Sequence, residues 1–451
     1  MAEALAIKDP VVEGAVRRAM WRLLPFLGLC YLLNYVDRVN VGFASLTMNP
    51  DLGLSAAAYG LGAGLFFIGY FFFEVPSNVI LHRVGARLWI ARIMITWGVV
   101  ASATAFVQGE ISFFIVRFLL GIAEAGFFPG IILYLTYWFP RAQRAKVVAL
   151  FFLAVPLSSV IGAPISTLLI QNGGGVFGFD AGWRLMFFLE GIPAVLVGVL
   201  VLVLLPDRPS RARWLSGREQ RALEQRIADE DVAQVPQETG LWAGLRDGRV
   251  VALSIVYFGV VFGLYVLAFF LPQVVSDLRE QFDVRFSLVE IGLITAVPYA
   301  VASVAMVLNA RHSDRSGERR LHVAVPAFVG AAGVAVALYL DSPYLVIAAM
   351  TVCAVGVYSA IPVIWQLPSA FLTGAGAAAG IALINSFGNL SGFAGPYLTG
   401  WLQDVTGSFR AGMFVVAGFM VLAGVIVLSI GRDSSAAEDT TAATTAQAQQ
   451  G

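Results

Sequence analysis

The sequence predicts an all-α membrane protein, with twelve transmembrane helices in two pseudo-symmetric bundles of six. Three observations lead there. Hydrophobic residues make up 58% of the 451 and charged residues only 13%, far more apolar than a soluble domain. A dozen apolar stretches recur, each near the roughly 20 residues that a bilayer core about 30 Å thick requires. One long polar break then divides those stretches six and six.

The spans are expected near 22–47, 58–81, 89–108, 111–139, 147–171, 183–205, 250–275, 288–309, 321–340, 344–366, 381–402 and 410–430. The opening MAEALAIKDPVVEGAVRR is too polar for a signal-peptide core, so span 1 is expected to act as an uncleaved insertion signal. The distribution of Lys and Arg sets the orientation. Only Arg184, Arg279, Arg285 and Arg410 fall in predicted outer segments, and Arg38 and Arg117 lie at membrane depth; the rest sit in or beside predicted cytoplasmic segments. Residues 1–21 are thus a cytoplasmic N-terminus, 22–205 the first bundle, 206–249 a cytoplasmic linker, 250–430 the second bundle and 431–451 a disordered cytoplasmic tail. The linker's SGREQRALEQRIADED reads as a surface helix, with Ser216 and Glu219 spaced as a capping box.

Zero net charge hides a steep gradient across the membrane and suggests no nucleic-acid partner. Cys30 and Cys353 fall inside spans and read as core fillers. His82, His312 and His322 lack ligand spacing, so no metal and no cofactor is expected. No HExxH, GxSxG or clustered His points to an enzyme.

The two halves look related. NVILHRVGAR (Asn78 to Arg87) follows span 2, and ARHSDRSGER (Ala310 to Arg319) follows span 8. Arg83, Gly85 and Arg87 map onto Arg315, Gly317 and Arg319 by one offset, which also carries Pro164 onto Pro396. That shared offset argues for parallel repeats able to rock about a midplane site. These residues resemble the major facilitator superfamily over nearly the whole chain. Its loop motif, GxxxDRxGxR, is followed by ARHSDRSGER except for the leading Gly; NVILHRVGAR has Asn78 for the Gly and His82 for the Asp. With NYVDRVNVGFA, FFFEVPSN, RFLLGIAEAGFFPG and GIALINSFGNLSGF, the chain is similar to the anion:cation symporter family. That resemblance implies transport of organic carboxylates with protons or sodium.

Asp37, Arg38, Arg117 and Glu124 are ionisable groups inside predicted spans, each costing about 2.5–3.5 kcal/mol at a helix centre. Arg117 and Glu124, two turns apart, share one helix face. Spans 1 and 4 are neighbours in the resembled fold, so Asp37 and Arg38 are expected to meet that face. A purely structural ion pair is the plainer alternative. In the transport reading, Asp37 and Glu124 hold protons. Arg38, permanently charged and forked, binds a substrate carboxylate in competition with them. Arg117 holds Glu124 in the empty site or adds a second positive contact. The resemblance agrees for Asp37, Arg38 and Glu124.

Tyr35 and Tyr70 are further binding candidates, and Tyr70, Glu74 and Asn78 share one face of span 2. Glu74 is expected to latch the inner gate to a loop arginine. The loop residues Asn78, Arg83, Gly85, Arg87, Asp314, Arg315, Gly317 and Arg319 are gating candidates, and Glu190 has no evident partner. The second half has no ionised group well inside its helices. Tyr265, Tyr299, Tyr358, Trp365, Gln366, Asn385 and Asn389 offer aromatic walls and amides instead. An Asn of span 11 lines the pocket in the resembled family, which favours Asn385.

The expectation is therefore a proton-coupled importer of a small organic acid (sugar, hydroxy or aromatic), working by alternating access as a monomer in the cell's inner membrane. An antiporter of the same fold is the nearest rival. Its Gly-rich span 5 run is represented only by Gly162, Ala163 and Pro164. Sodium coupling and a solute-sensing receptor complete the alternatives.

Overall fold

The computed structural model describes residues 9–232, 247–284, 286–368 and 374–430. The tail from Arg432, the middle of the linker and Arg285 lie outside that set. Every regular element among the described residues is helical.

The first half comprises α1 (Pro10–Leu52), α2 (Ala56–Val84), α3 (Ala86–Ala103), α4 (Glu110–Glu124), α5 (Phe127–Thr136), α6 (Arg141–Phe152), α7 (Ala154–Asn172) and α8 (Gly182–Leu204). The linker helix α9 (Gly217–Val232) follows. The second half comprises α10 (Gly248–Phe282), α11 (Leu288–Ser316), α12 (Leu321–Ala337), α13 (Pro343–Ile364), α14 (Gly374–Thr406) and α15 (Arg410–Ser429). Ten of the described helical segments are long and apolar enough to cross a membrane, with α4 and α5 together forming one of them. Leu321–Ala337 is a shorter apolar helix, and α14 has ample length but is diluted by Gly, Ser and Asn.

Two expected spans are broken. Span 4 divides at Ala125–Gly126, where Gly126 takes φ 86°. Pro129, in the first turn of α5, has no N–H for the Ala125 carbonyl; that carbonyl accepts instead from Ser77 Oγ at 2.6 Å. Span 5 divides at Leu153 into α6 and α7, close before Pro156, which likewise cannot bond the carbonyl four residues back. Helix α1 runs well beyond the apolar stretch, starting at Pro10 behind an Asp9 cap. The linker capping box forms, with Ser216 N–H donating to Glu219 Oε2 at 2.9 Å and Glu219 N–H to Ser216 Oγ at 3.4 Å.

Within the first half α3 packs on α8, α2 on α4 and α1 on α7; within the second α12 packs on α13 and α15, and α10 on α14. The halves meet along α2 with α14, α7 with α11 and α1 with α10. They close most tightly at the end opposite the linker. There a Cβ on Gly60 would sit 2.2 Å from the Pro396 carbonyl oxygen, and one on Gly400 would sit 2.0 Å from that of Ala56. Only glycine permits so close a backbone approach. Asp404 Oδ2 and Oδ1 of α14 accept from the Ala57 and Ala56 N–H groups at 2.8 and 3.1 Å, which caps α2 from the other half. Tyr59 Oη donates to the Phe269 carbonyl at 3.0 Å beside it.

Candidate functional site

The buried charges collect where α1 passes α4, α3 and α8. Successive residues on a helix point about 100° apart, so α1 presents two polar faces. Asn34 and Arg38, one turn apart, face α4. Arg38 NH2 donates to Glu124 Oε2 at 2.8 Å, and Asn34 Nδ2 donates to the same oxygen at 2.7 Å. All three side chains are buried. The Arg38 guanidinium carbon lies 4.9 Å from the Tyr35 ring centroid, 5.0 Å from Phe66 and 5.4 Å from Tyr70. Aromatic faces thus wall the cation and keep water from it.

Asp37 points elsewhere, which corrects the expectation that it joins Arg38 on the α4 face. Its Oδ2 accepts from Trp97 Nε1 of α3 at 2.8 Å, while Oδ1 has no partner. Asn40, one turn on, shares this second face. Its Nδ2 donates to Glu190 Oε2 of α8 at 2.9 Å, and Ser166 Oγ of α7 donates to Glu190 Oε1 at 2.7 Å.

Arg117 does not hold Glu124 here: Arg38 and Asn34 both bond Oε2 of that carboxylate, and its Oε1 is left without a partner. Arg117 is 1% exposed and lies over the Phe66 ring at 5.2 Å; its Nε and NH2 have no acceptor. A guanidinium so buried with donors to spare is a costly arrangement. It becomes favourable when an anion reaches it.

The second half contributes Tyr265, whose hydroxyl lies beside Arg38 and whose ring meets Phe67 at 4.3 Å. Tyr35, Pro156, Tyr257, Tyr265, Met306 and Tyr358 line a cavity of about 30 Å³ between the halves. That holds a water or two and no organic acid, so this cavity must widen before a solute occupies it. Trp365 is half-buried and packs edge-on against Tyr257 at 4.9 Å. Asn385 Nδ2 donates to Glu74 Oε1 at 3.1 Å across the halves. Glu74 therefore reaches an amide of α14 rather than a loop arginine. Asn389 is half-buried one turn further on.

The loop residues stay within their own halves. Arg87 pairs with Asp207 at 3.4 Å, and Gly85 (φ 96°) ends α2. Asn78 is half-buried beside Gly126, while Arg83 is exposed. In the second half Gly317 (φ 69°) ends α11, Asp314 and Arg315 are exposed, and Arg319 NH1 donates to the Gln366 carbonyl at 3.1 Å. His312 and His322 do meet, at 2.6 Å, but no group of three His, Cys, Asp or Glu side chains able to hold a metal occurs among the described residues.

Sequence reasoning missed Asn34, Trp97 and the Asn40–Glu190–Ser166 set. Asn34 was within reach, since it precedes Arg38 by one helical turn. The other two depend on which helices meet, and no local spacing encodes that.

The sequence pattern of the Major Facilitator Superfamily matches residues 27–382 and 253–449. The chain belongs to that superfamily. It is 50% identical over 434 residues, 96% of this chain and 95% of the relative, to an Agrobacterium vitis protein named "Putative tartrate transporter". It is 39% identical over 410 residues, 91% and 93%, to the "Quinolone resistance transporter" of Acinetobacter baumannii. Among solved structures, the partially occluded inward-open xylose transporter XylE from E. coli is similar at TM-score 0.70 and 19% identity, over 92% of this chain and all of that one. The chain is thus a multi-pass membrane transporter of the superfamily and not an enzyme.

Proposed function

We propose that this transporter imports a small hydroxy carboxylate, of the tartrate class, in symport with protons through alternating access. The observation that carries the reading is the Arg38–Glu124 pair, buried at 2.8 Å beside Arg117 with its unmet donors. A guanidinium already satisfied by an internal carboxylate exchanges that partner for a substrate carboxylate when Glu124 takes a proton. Arg117 supplies a second donor set that suits an anion with two carboxylates. The 50% identical relative named for tartrate supports the substrate class.

Charge supplies the reason for coupling. An anion moving into an inside-negative compartment opposes about 2.3 kcal/mol per charge per 100 mV. Each co-transported proton cancels one such charge, and one further proton makes accumulation electrogenic. In this reading Asp37 and Glu124 carry the coupling protons, Tyr35 and Tyr70 hold Arg38 in place, and Asn385, Asn389 and Trp365 line the substrate's route. The loop residues at the linker end, expected to face the cytoplasm of a bacterial inner membrane, act in closure, and a single chain suffices.

The test is uptake by proteoliposomes holding the purified chain, screened over organic acids with an inward proton or sodium gradient. Accumulation of one acid that follows the proton gradient and is abolished in Arg38→Ala supports the reading. Proton-driven extrusion of a drug-like cation would favour the second reading, an antiporter, which the quinolone-resistance relative brings forward.

A further inference from the structure

Glu190 remains outside the scheme above. Among the described residues, four carboxylates are buried in the helices of the first half, Asp37, Glu74, Glu124 and Glu190, against two guanidinium groups, Arg38 and Arg117. Arg38 serves Glu124. Glu190 has only neutral partners, Asn40 Nδ2 on one oxygen and Ser166 Oγ on the other. Among the described residues, the helices packed on α8 at this depth bring no cation to it. From α1 it meets Asn40 and the acidic Asp37, and from α7 it meets Ser166. From α3 come Gly98, backed against the Gly191 carbonyl, and Ser102, which donates to the Phe188 carbonyl.

We propose that Glu190 is a further proton-binding site of the transport cycle, with Asn40 and Ser166 accommodating both of its forms and Asp37 as its coupled neighbour. The proposal rests on the symport reading and adds a group to it. Two features carry it. A glutamine here would meet the same two neighbours with the same shape and no charge to bury, so a carboxyl in its place is expensive unless it titrates. The shell is also reversible. A serine hydroxyl and an asparagine amide can each donate to a carboxylate or accept from a carboxylic acid, whereas an arginine only donates. Asn40 Oδ1 has no partner although Asn40 is 1% exposed. Turning that amide over offers Oδ1 to the O–H of the protonated Glu190. Asp37 Oδ1, one turn away on the same face, is likewise without a partner.

Glu190 and Asp37 are thus two acidic groups on facing helices, and negative charge on Glu190 opposes negative charge on Asp37. Asp37 adjoins Arg38 in sequence, so the proton count at this second face is linked to the substrate-binding face through one helix, α1.

The experiment compares full-length wild type with Glu190→Gln in proteoliposomes, reading protons per anion from the potential at which net uptake of the transported acid reverses. The expected result is one proton fewer per anion in the variant. A second readout covers a variant that folds poorly: Ser166→Ala leaves the carboxyl in place and moves the pH midpoint of uptake, which a merely structural hydrogen bond would not do. Proton-driven uptake in wild type with the same stoichiometry and pH profile in both variants overturns the assignment of Glu190 and leaves the symport reading intact. Sodium-driven uptake lost in Glu190→Gln overturns it too, by assigning a metal cation to the site. Uptake by wild type that ignores the proton gradient removes the symport reading itself, and this proposal with it.

Discussion

The two halves solve the same folding problem with opposite chemistry. In the first, Asp37, Arg38, Glu74, Arg117, Glu124 and Glu190 are buried in the helices; in the second, no charged side chain among the described residues is. The second half buries Tyr265, Tyr299 and Tyr358 instead, and its reach toward the site is made by hydroxyls, amides and rings. The halves share a repeat offset, so the difference is not one of architecture. In the proposed mechanism it separates two tasks: carboxylates that can change charge sit on one side, and groups that shape a pocket sit on the other. Under the proposed symport, a moving interface between them would let protonation in one half alter what the other half closes upon.

The sharpest way to break that division is Arg38→Ala. It leaves Glu124 with Asn34 as its remaining partner, and removing one member of a buried pair costs about 3–5 kcal/mol. Uptake should vanish and the melting temperature in detergent should fall. Arg38→Ala with uptake intact would place the anion elsewhere. Asp37→Asn comes next and separates coupling from binding. The amide can still accept from Trp97, so the fold should hold; exchange of acid for acid should persist while accumulation driven by a proton gradient is lost. Full proton-driven accumulation in Asp37→Asn would remove Asp37 from the coupling set.

How much of this was legible beforehand follows the same division. Spans are written locally, in runs of apolar residues, and each run falls on helix, although α1, α10, α11 and α14 extend beyond their runs and expected spans 4 and 5 are each broken in two. The breaks at Ala125–Gly126 and Leu153 were not singled out by proline alone: Pro129 and Pro156 each remove a donor, but Pro25, Pro76, Pro164, Pro193, Pro272, Pro298, Pro362 and Pro396 lie inside helices that continue through them. The site was legible as a set of improbable charges but not as a set of pairs. Asp37 and Arg38 are neighbours in sequence, yet a 100° turn sends one to Trp97 and the other to Glu124. Glu190 had no evident partner because its two partners lie 150 and 24 residues away on other helices.

A smaller effect tests the second half. Asn385→Ala removes the hydrogen bond to Glu74, a contact worth about 1.5–3 kcal/mol when one partner is charged. If the second half shapes the pocket and the closure without carrying protons, the variant should raise KM about tenfold or more and leave the number of protons per anion unchanged. A changed stoichiometry would mean that Glu74, held by Asn385, belongs with the coupling groups, and the division between halves would have to be redrawn.

The smallest effect concerns which half the linker helix travels with. Glu219 of α9 caps its own helix through Ser216 and pairs with Arg18 of α1 at 3.0 Å, which ties the linker to the first half. The Ser216 backbone N–H, aided by its hydroxyl and by Arg18, holds the Glu219 carboxyl below the usual carboxylate range. A group whose proton affinity is lowered by folding contributes stability above its unfolded pKa and loses it as the pH falls through the folded one. The cap should therefore be intact at neutral pH and weaken in acid, below the ordinary range for glutamate. Glu219→Ala should cost about 0.3–1 kcal/mol of local stability, typical of a lost carboxylate in a helix's first turn. Limited proteolysis of the linker should then be several-fold faster than in wild type at pH 7, with the gap between the two closing as the pH drops. Uptake kinetics should stay within experimental scatter. Unchanged cleavage at pH 7 would show that apolar burial of Leu223 and Ile227, rather than the charged cap, anchors α9 to the first half.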